Sequence, residues 1–149
     1  MRAVAQRVSS AEVRVGDEVV CTMDEGLLAF VGVGHNDTVE QSGELAKRLV
    51  HLRIFNDDSE RMNRSLLDVA GVLGVVSQFT LYGDTRQGRR PFFGEAAPAD
   101  RAEPLIEALV DAARGQGVTV VTGRFRAMMK VSLVNSGPVT ILLDTERSF

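Results

Sequence analysis

The chain has 149 residues, 44% hydrophobic and 25% charged, with a formal net charge of −3 at pH 7. That length fits one domain, residues 1–149, able to bury roughly two thirds of its unfolded surface, with a composition ordinary for a globular protein. The charge excludes nucleic-acid binding through a global positive field, the lone Cys21 excludes an intrachain disulfide or a cysteine-based zinc cluster, and no apolar run is long enough to span a bilayer.

In chain order, Met1–Ser10 and Ala11–Val15 read as extended segments, and Gly16-Asp17 as a turn into a strand over Glu18–Met23. Gly26–Gly34 is a nearly continuous apolar run, the pattern of a strand buried on both faces. Asp37 or Thr38 then caps a helix, with Glu40 or Gln41 as the reciprocal half of a capping box. Val39, Leu45, Ala46, Leu49 and Leu52 form its apolar stripe. Val72–Leu81 reads as the central strand, and alternation puts Ser77 and Phe79 on one face, Gln78 and Thr80 on the other.

Tyr82–Pro98 is a long loop rich in Gly, Arg and Pro, a length that points to function. Asp100–Gly115 is an amphipathic helix presenting Leu105, Ile106, Leu109, Val110 and Ala113, stopped at Gly117. Val118–Thr122, Val131–Val134 and Val139–Asp144 complete the strands, the last two joined across Asn135-Ser136-Gly137-Pro138. The plain reading of Gly137-Pro138 is a turn; its peptide bond is also the place in the chain best suited to a cis isomer, which the sequence leaves open. The pattern predicts a single α/β domain: a strand-rich mixed sheet with a barrel-like core and two main helices.

Conventional hydrolase machinery is missing. His35 and His51 belong to no constellation, and no Gly-x-Ser-x-Gly elbow or His-Glu-x-x-His motif occurs. Gly32-Val33-Gly34 lacks the third glycine of a dinucleotide fingerprint and reads as a turn. Cys21 reads as a buried structural thiol. Arg86, Arg89 and Arg90, and later Arg124, Arg126 and Lys130, form local positive clusters, either a solvated surface or contacts for a polyanion. Phe92 and Phe93 are able to stack a base or to pack in the interior.

Two segments, Ser77-Gln78-Phe79-Thr80-Leu81 and Asn135-Ser136-Gly137-Pro138-Val139-Thr140, together resemble the signature motifs of the D-aminoacyl-tRNA deacylases. The likeness also takes in Met1–Val8, Gly26-Leu27-Leu28, Arg53-Ile54-Phe55, Met62-Asn63, Pro98–Glu103 and Thr122-Gly123-Arg124-Phe125, nearly the whole chain. The resemblance implies that family's fold and an editing hydrolase that cleaves the ester of D-aminoacyl-tRNA to free D-amino acid and tRNA. It further implies cleavage of glycyl-tRNA mischarged on tRNA(Ala), and no metal or other cofactor.

Among site residues, the resemblance places Ser77, Gln78, Phe79 and Thr80 at the catalytic centre, with the Phe79 backbone amide near the reacting carbonyl. It assigns Gly137, Pro138, Met129 and Ala102 to substrate binding and rejection of L-amino acids. In the family the Gly-Pro bond is cis and comes from the partner subunit of a homodimer. The expected partners are therefore the aminoacylated 3′ end of tRNA and a second copy of the chain, with no membrane, in the cytoplasm. Thr80 is the nearest candidate nucleophile, yet no base accompanies it. The sequence departs from the family at Ser136, commonly acidic, and at Arg126 and Met128. The alternative is a non-catalytic nucleic-acid-binding or interaction module on the same fold, which would have no need of the intact Ser77–Thr80 segment.

Overall fold

A computed structural model describes residues 1–149. Eight strands and two helices follow in order: β1 (Arg2–Val15), β2 (Glu18–Met23), β3 (Gly26–Gly32), α1 (Val39–His51), β4 (Phe55–Asn56), β5 (Met62–Arg64), β6 (Val72–Ser77), α2 (Ala99–Gly115), β7 (Thr119–Thr122) and β8 (Met129–Asp144). A 3₁₀ turn, Phe79–Tyr82, follows β6.

The main sheet runs β2-β1-β3-β6-β7, with β8 on the other edge of β1. β3, β6 and β7 are mutually parallel, whereas β1 is antiparallel to all its partners, so the sheet is mixed. β1 is one strand where the sequence suggests two. It pairs β3 as far as Val8 and β2 from Ala11, and the exposed Ser9-Ser10 marks the handover, not a break. β2 and β7 come back towards each other, giving the nearly closed, barrel-like sheet.

The apolar run of β3 is buried on both faces. Leu27, Ala29 and Val31 meet Leu45 and Leu49 of α1 and Leu105 and Leu109 of α2, while Leu28 points into a second cluster with Val8, Val13, Met23 and Val76 inside the sheet's curve. Each such Leu, fully buried, contributes about 1.5–3 kcal/mol. Thr38 caps α1, its side chain accepting from the Glu40 N–H and its backbone N–H donating to Gln41 at 2.9 Å. Asp37 is drawn elsewhere, to the Met1 ammonium and the Gly34 N–H.

Three boundaries differ from the sequence pattern for local reasons. β3 stops at Gly32, because the chain must turn there towards α1. β6 stops at Ser77 instead of running to Leu81. Its last partner on β3 is Val31, and once the Gln78 N–H has bonded Val31 O at 2.7 Å the chain coils into the 3₁₀ turn. The expected alternation of Ser77 and Phe79 against Gln78 and Thr80 therefore does not hold.

Val131–Val134 and Val139–Asp144 are one strand. Between the pairs Val8↔Asn135 and Gln6↔Thr140, β1 has only Arg7 while β8 has Ser136–Val139, so Gly137-Pro138 lies in a bulge of a continuous ladder. Asn135 closes it, accepting from the Val139 N–H at 2.9 Å and donating to Thr140 Oγ1 at 3.1 Å. The Gly137–Pro138 peptide is cis. The small β4–β5 hairpin carries no clear sequence signal.

Candidate active site

Strand β6 delivers Ser77 to the C-terminal edge of the parallel strands, where crossover folds place their ligand crevices. The 3₁₀ turn follows at once. Its first closing bond runs from the Leu81 N–H to Gln78 O, so the N–H groups of Phe79 and Thr80 precede it and have no acceptor within the turn. Gln78 Nε2 donates to Thr80 Oγ1 at 2.9 Å, which aims both polar ends along the same edge. Phe79 is 57% exposed and meets Phe93 edge-on, ring centres 5.1 Å apart.

A cavity of about 550 Å³ opens beside this turn. Ser77, Gln78, Phe79 and Thr80 form one wall, Ala102 of α2 another, and Met129, the first residue of β8, a third, with Phe125, Arg126 and Met128 at the remaining side. Six of the eight residues singled out from sequence thus line one space. Arg126 is the sole lining residue with an ionisable side chain. No group of three or more His, Cys, Asp or Glu side chains is placed to hold a metal ion. Such a cavity offers orientation, apolar contact and backbone dipoles, and no side-chain base.

Gly137 and Pro138 lie elsewhere. They are exposed on β8, whose only strand partner is β1, and are absent from the cavity wall of their own chain. Gly137 has φ +140, and a Cβ there would approach the Val139 nitrogen to 3.0 Å, so glycine is required. Arg7 braces the bulge: its Nε donates to Ser136 O at 2.8 Å and its Nη1 to Ile54 O at 2.6 Å. Val134 and Leu142, on the same strand, are more than half exposed. The role of Arg7 was invisible in the sequence, where it is one more surface-like arginine.

The positive clusters are smaller than counting suggests. Arg86 is held by Asp84, and their hydrogen bond keeps the Asp84 carboxyl down at about 2. Arg124 makes a forked pair with Glu18 at 2.8 and 3.0 Å, which lowers the Glu18 pKa and raises its own. Arg89, Arg90, Arg126 and Lys130 make no ion pair within 4 Å. Of the expected aromatic pair, Phe92 is 68% exposed, while Phe93 is spent on Phe79. His51 bonds Gln116 at 3.0 Å on the surface and is absent from the cavity wall.

The family model for D-Tyr-tRNA(Tyr) deacylase matches residues 4–144. A D-aminoacyl-tRNA deacylase of Roseiflexus sp. (strain RS-1) is 57% identical over 97% of this chain and 94% of its own. One of Thermotoga petrophila is 54% identical over the full length of both. Among solved structures, a c-Myc DNA Unwinding Element Binding Protein superposes with a TM-score of 0.91 at 32% identity, covering 97% of this chain and 99% of the other. At that identity and coverage, the chain belongs to the D-Tyr-tRNA(Tyr) deacylase family.

Proposed function

We propose that this D-aminoacyl-tRNA deacylase reads chirality by exclusion, in a site completed by the Gly137-Pro138 bulge of a second copy of the chain. The observation that carries the reading is a cavity with free Phe79 and Thr80 N–H groups and no side-chain base. An aminoacyl ester is already activated, and the terminal ribose brings its own 2′-hydroxyl. Water, assisted by that hydroxyl, attacks the carbonyl carbon; the bond to the 3′ oxygen breaks and the proton ends on that oxygen. The Phe79 and Thr80 amides stabilise the oxyanion, the role for which preorganised backbone donors are suited. Ser77, Gln78, Ala102 and Met129 hold the terminal adenosine and the ester.

The homodimer is supported by the open outer edge of β8, the exposed Val134 and Leu142, and the absence of Gly137-Pro138 from its own cavity wall. Arg89, Arg90, Arg126 and Lys130 are the cations left for tRNA phosphates. Backbone carbonyls of the bulge leave no room for an L side chain and make no demand on a D side chain. Glycine collides with nothing, so glycyl-tRNA, including glycine mischarged on tRNA(Ala), is cleaved. Such editing belongs beside translation in the cytoplasm; no helix here is long and apolar enough to cross a membrane.

A mixed dimer tests the cross-subunit site. Ala102→Phe fills a chain's own cavity; Gly137→Val disrupts its bulge. In a purified heterodimer of the two variants, the one open cavity faces an intact bulge, so L-Tyr-tRNA is spared as in the unmodified enzyme. Cleavage of L-Tyr-tRNA by the heterodimer, at about half the rate of the Gly137→Val homodimer, which has two open cavities, would place the bulge's action within its own chain and overturn the proposal.

A further inference from the structure

The 3₁₀ turn that carries Phe79 and Thr80 is fastened at its far end by a buried polar cluster that the mechanism above does not use. Tyr82, the last residue of the turn, is 6% exposed. The Arg2 guanidinium lies over its ring, 4.5 Å from the centroid, and Arg2 Nη1 donates to Leu81 O at 3.4 Å. Tyr82 Oη donates to Asp37 Oδ2 at 3.4 Å, and the same carboxylate takes the Gly34 N–H at 2.6 Å and the Met1 ammonium at 2.5 Å. Burial, helped by the Asp37 charge, pushes the Tyr82 phenol above its ordinary range, so it remains a donor.

The space for Tyr82 is made by Gly32-Val33-Gly34. A Cβ at Gly34 would lie 2.8 Å from Tyr82 Oη, and one at Gly32 would lie 3.1 Å from both Tyr82 Cδ2 and Gln78 O. The Gly-x-Gly read from sequence as a turn is therefore a cradle for one tyrosine.

Arg2 is held there at a cost. Its Nε is buried without a hydrogen-bond partner, 3.5 Å from Asp144 Oδ2 but poorly aligned to it, and a buried unmade hydrogen bond is destabilising. What its retention secures is at the other end of the guanidinium, on Leu81 and Tyr82.

We propose that Arg2 and Tyr82 are positioning residues for the deacylation: the guanidinium stacked on Tyr82 and bonded to Leu81 O fixes the turn whose first two N–H groups meet the developing oxyanion. This rests on the reading that those amides act on the ester. Gln78, pinned to Val31, fixes the start of the turn, and Arg2 with Tyr82 fixes its end. Displacing the amides by a fraction of an ångström weakens transition-state stabilisation and leaves ground-state binding in the cavity intact.

The test is steady-state kinetics on D-Tyr-tRNA for Arg2→Ala, Arg2→Lys and Gly34→Ala, with Val50→Ala at the far end of α1 as a stability control. Arg2→Ala and Gly34→Ala are expected to lower kcat on the order of 10- to 100-fold with KM within about twofold, since small misplacements at a preorganised site have that effect. Arg2→Lys, which keeps a cation over the ring, restores most of kcat. Val50→Ala, with a comparable fall in melting temperature, leaves kcat unchanged. Folded Arg2→Ala with kcat within about twofold of the parent, or a loss that Val50→Ala reproduces, overturns the positioning role. A semisynthetic chain with phenyllactic acid in place of Phe79, which lacks that N–H, separates the two layers. If it loses activity while the Arg2 and Gly34 variants keep theirs, only the positioning role fails. If it keeps full activity, the amide reading fails and the positioning role with it.

Discussion

Thr80 is the hydroxyl closest to hand for a covalent mechanism, and Thr80→Ala decides whether the protein supplies a nucleophile. In the structure Thr80 Oγ1 accepts one hydrogen bond, from Gln78 Nε2 at 2.9 Å, in an exposed position. No imidazole, carboxylate, thiol or amine lines the cavity to take its proton. Removing the hydroxyl therefore costs one neutral hydrogen bond, about 0.5–1.5 kcal/mol, which is roughly a 2- to 13-fold loss of rate at 1.36 kcal/mol per decade. A true nucleophile would cost on the order of 10⁶-fold. The substrate's 2′-hydroxyl has the larger burden, a proton-transfer role worth about 10²–10⁴. The assay is single-turnover release of labelled D-Tyr at saturating enzyme, run for parent and Thr80→Ala against normal and 2′-deoxy-terminated D-Tyr-tRNA, each corrected for spontaneous hydrolysis. The deoxy substrate should slow by at least about tenfold more than the mutation does. Folded Thr80→Ala that is dead, with the deoxy substrate turning over normally, would refute substrate-assisted catalysis.

With Arg126 the sole ionisable lining residue, kcat should show no bell-shaped pH profile between about pH 6 and 8; two macroscopic pKa values in that range would reveal a side-chain acid and base. Arg126 itself sits at φ +62, a conformation costing a non-glycine residue about 1–2 kcal/mol. Arg126→Gly should raise or hold the melting temperature by differential scanning calorimetry while weakening tRNA binding and lowering its salt slope by about one. Burial works against the Asp144 carboxylate, but the Ser148 hydroxyl, the Glu146 and Ser148 backbone N–H groups and Arg2 outweigh it and lower its pKa below 3.8. The stabilisation is thus complete above the unfolded value and lost as pH falls through the folded one. Asp144→Asn should flatten part of the acid limb of a urea-unfolding series below about pH 4; an unchanged limb contradicts the assignment.

Much of the fold was legible because its signals are local. The apolar run Gly26–Gly34, the Thr38/Gln41 box and the stripe Leu105–Ala113 each carry their own period or cap, and each became the expected element. What the chain could not announce is set by pairing at long range. β1 is one strand because β3 and β2 share its edge, and β6 ends at Ser77 because its ladder to β3 closes at Val31 and the chain then coils into the 3₁₀ turn. Asn135–Thr140 looks like a turn, and only the ladder to β1 makes it a bulge. The site divides in the same way. Ser77–Thr80, Ala102 and Met129 converge on one cavity, whereas the clamp of Arg2 on Tyr82 joins residues 80 positions apart with no motif to advertise it. Charge counting misled most: Asp84, two residues away, silences Arg86, and the partner that silences Arg124, Glu18, is 106 positions distant in the chain.

The central claim is rejection by exclusion, and three rates test it most directly: deacylation of D-Tyr-, L-Tyr- and Gly-tRNA by the same enzyme under single-turnover conditions. Overlap of an L side chain with rigid backbone costs several kcal/mol, at a factor of ten in rate per 1.36 kcal/mol. An attractive apolar pocket discriminates only about 10- to 200-fold per methylene. Exclusion predicts rapid cleavage of D-Tyr-tRNA, measurable cleavage of Gly-tRNA, and L-Tyr-tRNA spared by at least about a thousandfold. L-Tyr-tRNA cleaved at a rate near that of D-Tyr-tRNA would contradict the claim outright, and D-Tyr activity with no cleavage of Gly-tRNA would replace exclusion with a pocket that grips the D side chain.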